Sequence, residues 1–186
     1  MEAYRTQRSA TLPARILPER ESDHIDRIVA QWHRERPDLD VSALAILARL
    51  FRIVHLADRE LAKGTAAHGL QPGWFDLLAS LRRAGPHYEL NPTDLMHATM
   101  LSSGGITKRL DRLAEAGLIK RRANPDDRRG TLVRLTRKGR AVIDRTLETH
   151  LANEDRLLKP LSRADRQALD RLLRQLLTGL DHNRRR

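Results

Sequence analysis

Apolar residues recur at intervals of three and four along most of this chain, the spacing of one face of an α-helix. Residues 23–36 carry Ile25, Ile28, Val29 and Trp32 on such a stripe, with Asp23 placed to cap and Pro37 to stop the helix. A second helix is expected from Ser42 to about Lys63, with Leu44, Leu47, Leu50, Phe51, Val54 and Leu61 in register. Pro72 is expected in the first turn of a third, whose interior of Trp74, Phe75, Leu77, Leu78 and Leu81 is nearly all apolar. A short helix over residues 93–101 follows Pro92. The next begins near Ser103, with Ser102 or Ser103 as its cap, Ile106, Leu110 and Leu113 on its packed face and Gly117 at its end. The period then changes. Residues 118–122 and 131–135 read as the two strands of a hairpin around a polar turn over residues 123–130. Thr136 caps a helix over residues 137–159 that Pro160 ends, and Ser162 caps a last helix striped with Leu169, Leu172, Leu173, Leu176, Leu177 and Leu180. The first 22 residues show no sustained periodicity and are expected to form a flexible basic arm.

Charge sharpens this picture. The 186 residues contain 35 Lys and Arg against 24 Asp and Glu, a formal net charge of +11. Residues 103–140 hold twelve basic side chains and four acids, so most of the excess lies on one helix, one hairpin and the first residues of the helix that follows. Thr107, Lys108 and Arg112 point away from the apolar face of that helix, and Arg128 and Arg129 sit in the hairpin turn. A helix with a free basic face fits the major groove of DNA, and an arginine-bearing hairpin beside it reaches phosphates or the minor groove. The expected architecture is mainly α with a small β-hairpin wing. It comprises a winged helix-turn-helix over about residues 70–136 and dimerisation helices over about 23–63 and 137–180, all within a single domain from 23 to 186. Ser103, Thr107, Lys108, Arg112, Arg128 and Arg129 are the expected DNA contacts. The closing leucine stripe is expected to meet a second copy of the chain.

Other classes of function find no support. No phosphate-binding or dinucleotide-binding glycine loop, zinc-protease helix or nucleophile elbow occurs. The eight histidines lack ligand spacing and there is no cysteine, so no enzyme activity, cofactor or metal is expected. No run of about 20 apolar residues spans a bilayer, and a cytoplasmic location is expected.

The segments Leu118-Ile119-Lys120-Arg121-Arg122, Asp126-Asp127-Arg128-Arg129-Gly130 and Leu135-Thr136-Arg137-Lys138-Gly139 resemble the wing signature of the MarR family of bacterial transcription regulators. The resemblance implies an obligate dimer on double-stranded pseudo-palindromic operator DNA, usually a repressor released by a small aromatic or anionic effector. A narrower resemblance is to the urate-responsive branch of that family. It implies a ligand site formed by Trp32, Asp76 and Arg83, with Arg109 and Arg121 transmitting the ligand's charge to the DNA-reading helix. Phenolic acids and indole-3-acetate share urate's combination of flat ring and anion. A constitutive architectural DNA-binding protein without effector is the alternative reading of the same residues.

Overall fold

The structure is a computed structural model, and it describes residues 22–99, 105–125 and 127–184. Seven helices and three short strands occur among them: α1 (His24–Glu35), α2 (Ser42–Ala66), α3 (Trp74–Arg83), β1 (Glu89–Leu90), α4 (Pro92–Ala98), α5 (Ile106–Glu115), β2 (Ile119–Asn124), β3 (Asp127–Leu135), α6 (Arg137–Leu157) and α7 (Arg163–Arg184). The chain divides into two compact units, Met1–Ile53 and Val54–Arg186.

In the first unit, Asp23 caps α1 by accepting the N–H groups of Ile25 and Asp26, and Asp26 returns a bond from the Asp23 N–H at 2.9 Å. This reciprocal cap satisfies donors that a helix start otherwise leaves open. Arg49 donates to both carboxylates, and its hydrogen bond is the main reason the Asp23 carboxyl is lowered to about 2. No residue of α2 is buried, although its apolar residues follow the expected stripe; Phe51 and Val54 stand 72% and 65% exposed.

The second unit has one hydrophobic core. Leu77, Leu78 and Leu81 of α3, Leu95 of α4 and Leu113 of α5 are sealed from solvent together with Val133 of β3 and Ile143 of α6. The strand order is β1-β3-β2, antiparallel throughout. Val133 and Leu135 lie on the core face of β3, as the alternation of the sequence suggests.

Four expectations need correction. Helix α3 starts at Trp74, because Gly73 adopts a left-handed φ of 77° and turns the chain after Pro72. For α5 the N-cap is Gly105, again left-handed at φ 82°; Ser102 and Ser103 lie outside the described residues, as does the N-terminal arm. The hairpin strands run further than expected, so Arg128 and Arg129 belong to β3 rather than to the turn, and a register shift between Ala123 and Asn124 accommodates the extension. Finally, Glu89 and Leu90 form a third strand against Arg134 and Val133, too short to show a period in sequence.

Candidate nucleic-acid interface and effector cleft

Helix α5 buries Leu110 and Leu113 and turns Thr107, Lys108 and Arg112 to solvent, the division its sequence spacing requires. Its C-terminal end is held firmly. Gly117 takes φ 71°, the Leu118 N–H returns to the Leu113 carbonyl at 2.9 Å, and Lys138 of α6 donates to the Ala116 carbonyl at 2.8 Å. A cation at that end also suits the negative pole of the helix. The hairpin is tied to α5 by Arg121, whose guanidinium meets Asp111 at 2.7 Å. Arg109 is half-buried and folds back beside Gly105 at the start of the helix. Both arginines therefore touch the helix that carries the exposed basic face.

Helix α4 precedes this element and is capped by Asn91, which accepts the Asp94 N–H at 2.7 Å. Its last carbonyl, that of Ala98, is a junction. Ser80 of α3 donates to it at 3.1 Å, and Arg83 of α3 donates to it as well. Beside Arg83, between α3 and α6, lies a cleft of about 340 Å³ lined by Ala79, Arg82, Arg83, Ile143, Asp144 and Leu147. Its walls are apolar apart from two guanidiniums and one carboxylate. Arg82 pairs with Asp144 at 2.6 Å, whereas Arg83 donates to a neutral carbonyl and meets no carboxylate within 4.0 Å among the described residues.

Asp76 is half-buried one turn before this cleft, and burial pushes its carboxyl above the ordinary aspartate range while His150 and Arg83 pull it down. No ion pair within 4.0 Å joins Asp76 to Arg83 among the described residues, so the two do not form the structural pair that their spacing permits. Near Asp76, His150 stacks on Phe75 at 4.0 Å and points Nε2 at Glu154, 3.2 Å away. Trp32 stands on α1 of the first unit, 43% exposed, whereas Asp76 and Arg83 belong to the second. Ser103 lies outside the described residues.

Sequence reasoning missed Glu89, Asp111 and Asp144. Each is an acid that holds a basic partner distant in sequence, and no local period signals such a pairing. Among the described residues no group of three or more His, Cys, Asp or Glu side chains could hold a metal ion, and no helix is long and apolar enough to cross a membrane.

An exposed basic helix that follows a short helix and is flanked by a three-stranded antiparallel sheet defines a winged helix-turn-helix DNA-binding protein. Residues 68–130 match the model of the MarR family. The transcriptional regulator PecS of Dickeya dadantii is 39% identical over 160 residues, covering 86% of this chain and 96% of PecS. A MarR variant from Escherichia coli in complex with operator DNA superposes with a TM-score of 0.64 at 28% identity, covering 74% of this chain and 97% of that one. AbsC, a MarR family regulator from Streptomyces coelicolor, gives a TM-score of 0.67 at 25% identity, covering 77% and 97%. The chain belongs to the MarR family of transcription regulators: it is a DNA-binding regulator and not an enzyme.

Proposed function

We propose that the protein binds a pseudo-palindromic operator as a homodimer and represses transcription until a small aromatic anion enters the cleft beside Arg83. The observation that carries the DNA reading is the face of α5: Thr107, Lys108 and Arg112 are exposed beside the buried Leu110 and Leu113. In this reading Arg112 meets a base edge in the major groove, while Arg128 and Arg129 of the wing meet phosphates or the minor groove. Helix α7 supports the dimer. Leu172, Leu176, Leu177 and Leu180 are 43–61% exposed along one helix of a single chain, an apolar surface that a second copy covers.

The cleft supports the effector. Arg83 offers a charge-assisted bond to a carboxylate or urate-like anion, and Ala79, Ile143 and Leu147 offer an apolar wall to its ring. An anion that draws Arg83 loosens its hold on the Ala98 carbonyl, at the end of the helix that leads to α5. The change needed is large: emptying an operator that is about 99% occupied takes a differential affinity of about 5 kcal/mol. The cleft favours this reading over a constitutive architectural protein, which has no use for it.

A thermal-shift screen with urate, other purines, salicylate, phenolic acids and indole-3-acetate tests the proposal, since a ligand of the native state raises Tm by mass action. A hit is expected to release the DNA and to lose that effect in Arg83→Ala. DNA affinity itself should also fall in that variant, because the bond from Arg83 to the Ala98 carbonyl is lost with or without the anion. A hit whose effect survives Arg83→Ala unchanged refutes the cleft, and a panel without any hit shifts the balance to the architectural reading.

A further inference from the structure

The segment between α3 and β1 carries two side chains that the DNA reading leaves unused. Tyr88 holds φ at 53°, in the left-handed region that a non-glycine residue keeps only where its surroundings determine it. Those surroundings are two guanidiniums: Arg82 of α3 lies 5.0 Å and Arg140 of α6 4.8 Å from the centre of the tyrosine ring. Asp144 steadies both, pairing with Arg82 at 2.6 Å and facing Arg140 at 3.7 Å. The Tyr88 carbonyl in turn accepts the Leu135 N–H at 3.1 Å, so the same residue starts the β1–β3 ladder.

Glu89 reaches the other way. It sits opposite Arg134 on β3, and Arg134 sits opposite Lys120 on β2, so the three share the outer face of the sheet. Across that face the Glu89 carboxylate accepts two bonds from Arg122 of β2, at 3.0 Å from Nε and 2.7 Å from Nη2. Only 14% of the Glu89 side chain is exposed, and Arg122 holds its carboxyl below the usual glutamate range. The ion pair thus spans the central strand and joins the two outer ones.

We propose that Tyr88 and Glu89 are a positioning pair for DNA binding: Tyr88 fixes β1 to α3 and α6, and Glu89 carries that fixation over β3 to β2, so that the attitude of the wing is set from the end of α3. The inference rests on the reading of the wing as a DNA contact. It makes a prediction whose sign is diagnostic. Glu89→Gln removes a negative charge from a face that also carries Lys120 and Arg134, so electrostatics alone tightens DNA binding. Loss of positioning weakens it.

A double-mutant cycle separates the pair's action through the wing from a general effect on folding. The full-length protein first selects a palindromic duplex from a random library, and its affinity for that duplex is read by fluorescence anisotropy. Tyr88→Leu, Tyr88→Phe and Glu89→Gln are each measured with the wing intact and with Arg128→Ala and Arg129→Ala together. With the intact wing, Tyr88→Leu and Glu89→Gln each weaken binding about tenfold, and Tyr88→Phe, which keeps an aromatic face for the guanidiniums, binds like the parent. In the trimmed background all three fall within about twofold of their parent. Equal losses in both backgrounds, tighter binding by Glu89→Gln, or a loss in Tyr88→Phe as large as in Tyr88→Leu overturns the inference while leaving the wing contact standing. A trimmed wing that binds as well as the intact one refutes the wing contact, and the inference falls with it.

Discussion

Gly139→Ala tests the packing that joins the end of α5 to α6. Gly139 lies in the first turn of α6 and is buried. A Cβ added there would stand 1.9 Å from the Leu118 carbonyl oxygen and 2.8 Å from its carbon, against an ordinary contact of at least 3.4 Å. The obstacle is backbone, so no side chain can swing aside, and the two segments must part by about 1.5 Å. Four hydrogen bonds from three donors cross the same contact: Thr136 N–H to Leu118 O at 3.1 Å, Thr136 Oγ1–H to Gly117 O at 2.7 Å and to Leu118 O at 3.2 Å, and Lys138 Nζ to Ala116 O at 2.8 Å. Overpacking of this kind costs about 1–3 kcal/mol and straining the bonds of these three donors about 1 kcal/mol each, so a loss of about 4–6 kcal/mol is expected. Gly117, only two residues before β2, offers the contrast. Nothing lies within 4 Å of its added Cβ, but its φ is 71°, so Gly117→Ala costs about 1 kcal/mol through backbone strain and Gly117→Asn less. At Gly139 the order reverses, and Asn is worse than Ala. Urea unfolding monitored by circular dichroism gives the free energies, with the slope m as a check on two-state behaviour. A Gly139→Ala protein within about 0.5 kcal/mol of wild type refutes the contact.

Further expectations concern the interface, the dimer and pH. Arg112→Ala should weaken operator binding and relax specificity, whereas Arg128→Ala should weaken all duplexes alike and reduce the salt slope by about one; equal salt slopes and unchanged specificity in both would contradict the groove assignment. Leu176→Glu, placed in the middle of the exposed α7 stripe, should yield monomers in sedimentation velocity and abolish operator binding, while a dimer of undiminished stability would remove α7 from the interface. Asp76→Asn should raise Tm at neutral pH, because burial disfavours the charged carboxylate in the folded chain. That gain should shrink as pH falls through the raised pKa of the native carboxyl, where wild type is already protonated. For Glu89 the sign is opposite: its depressed pKa gives stability that is complete above the ordinary glutamate value and lost as pH falls through the lowered one, a dependence that Glu89→Gln should flatten in thermal melts.

Much of this architecture is written in local patterns. The stripe Ile106, Leu110, Leu113 assigns both faces of α5 because three- and four-residue spacing leaves no other arrangement, and Leu110 and Leu113 are indeed buried. Asp23 and Thr136 cap α1 and α6 as their chemistry suggests. What local pattern does not carry is long-range pairing. Glu89 meets Arg122 across 33 positions and Arg82 meets Asp144 across 62, and neither residue differs in sequence from any other surface charge. Strand β1 escaped because two residues cannot display a period of two. Asp76 and Arg83 stand seven residues apart on α3, a spacing that puts them on one side of the helix, yet a side chain's final partner depends on what else is near: Arg83 goes to the Ala98 carbonyl. The starts of α3 and α5 were misjudged for one shared reason. Proline and serine carry familiar helix-start chemistry, but in both places a left-handed glycine makes the turn.

The most direct test of the account is a titration of the full-length protein against a palindromic duplex that it has itself selected from a random library, beside a shuffled duplex of equal composition, at several salt concentrations. The account predicts two chains per duplex, a preference for the selected sequence of at least about a thousandfold, and an affinity that falls steeply with salt. Equal affinity for the two duplexes, or one chain bound per palindrome, would contradict it.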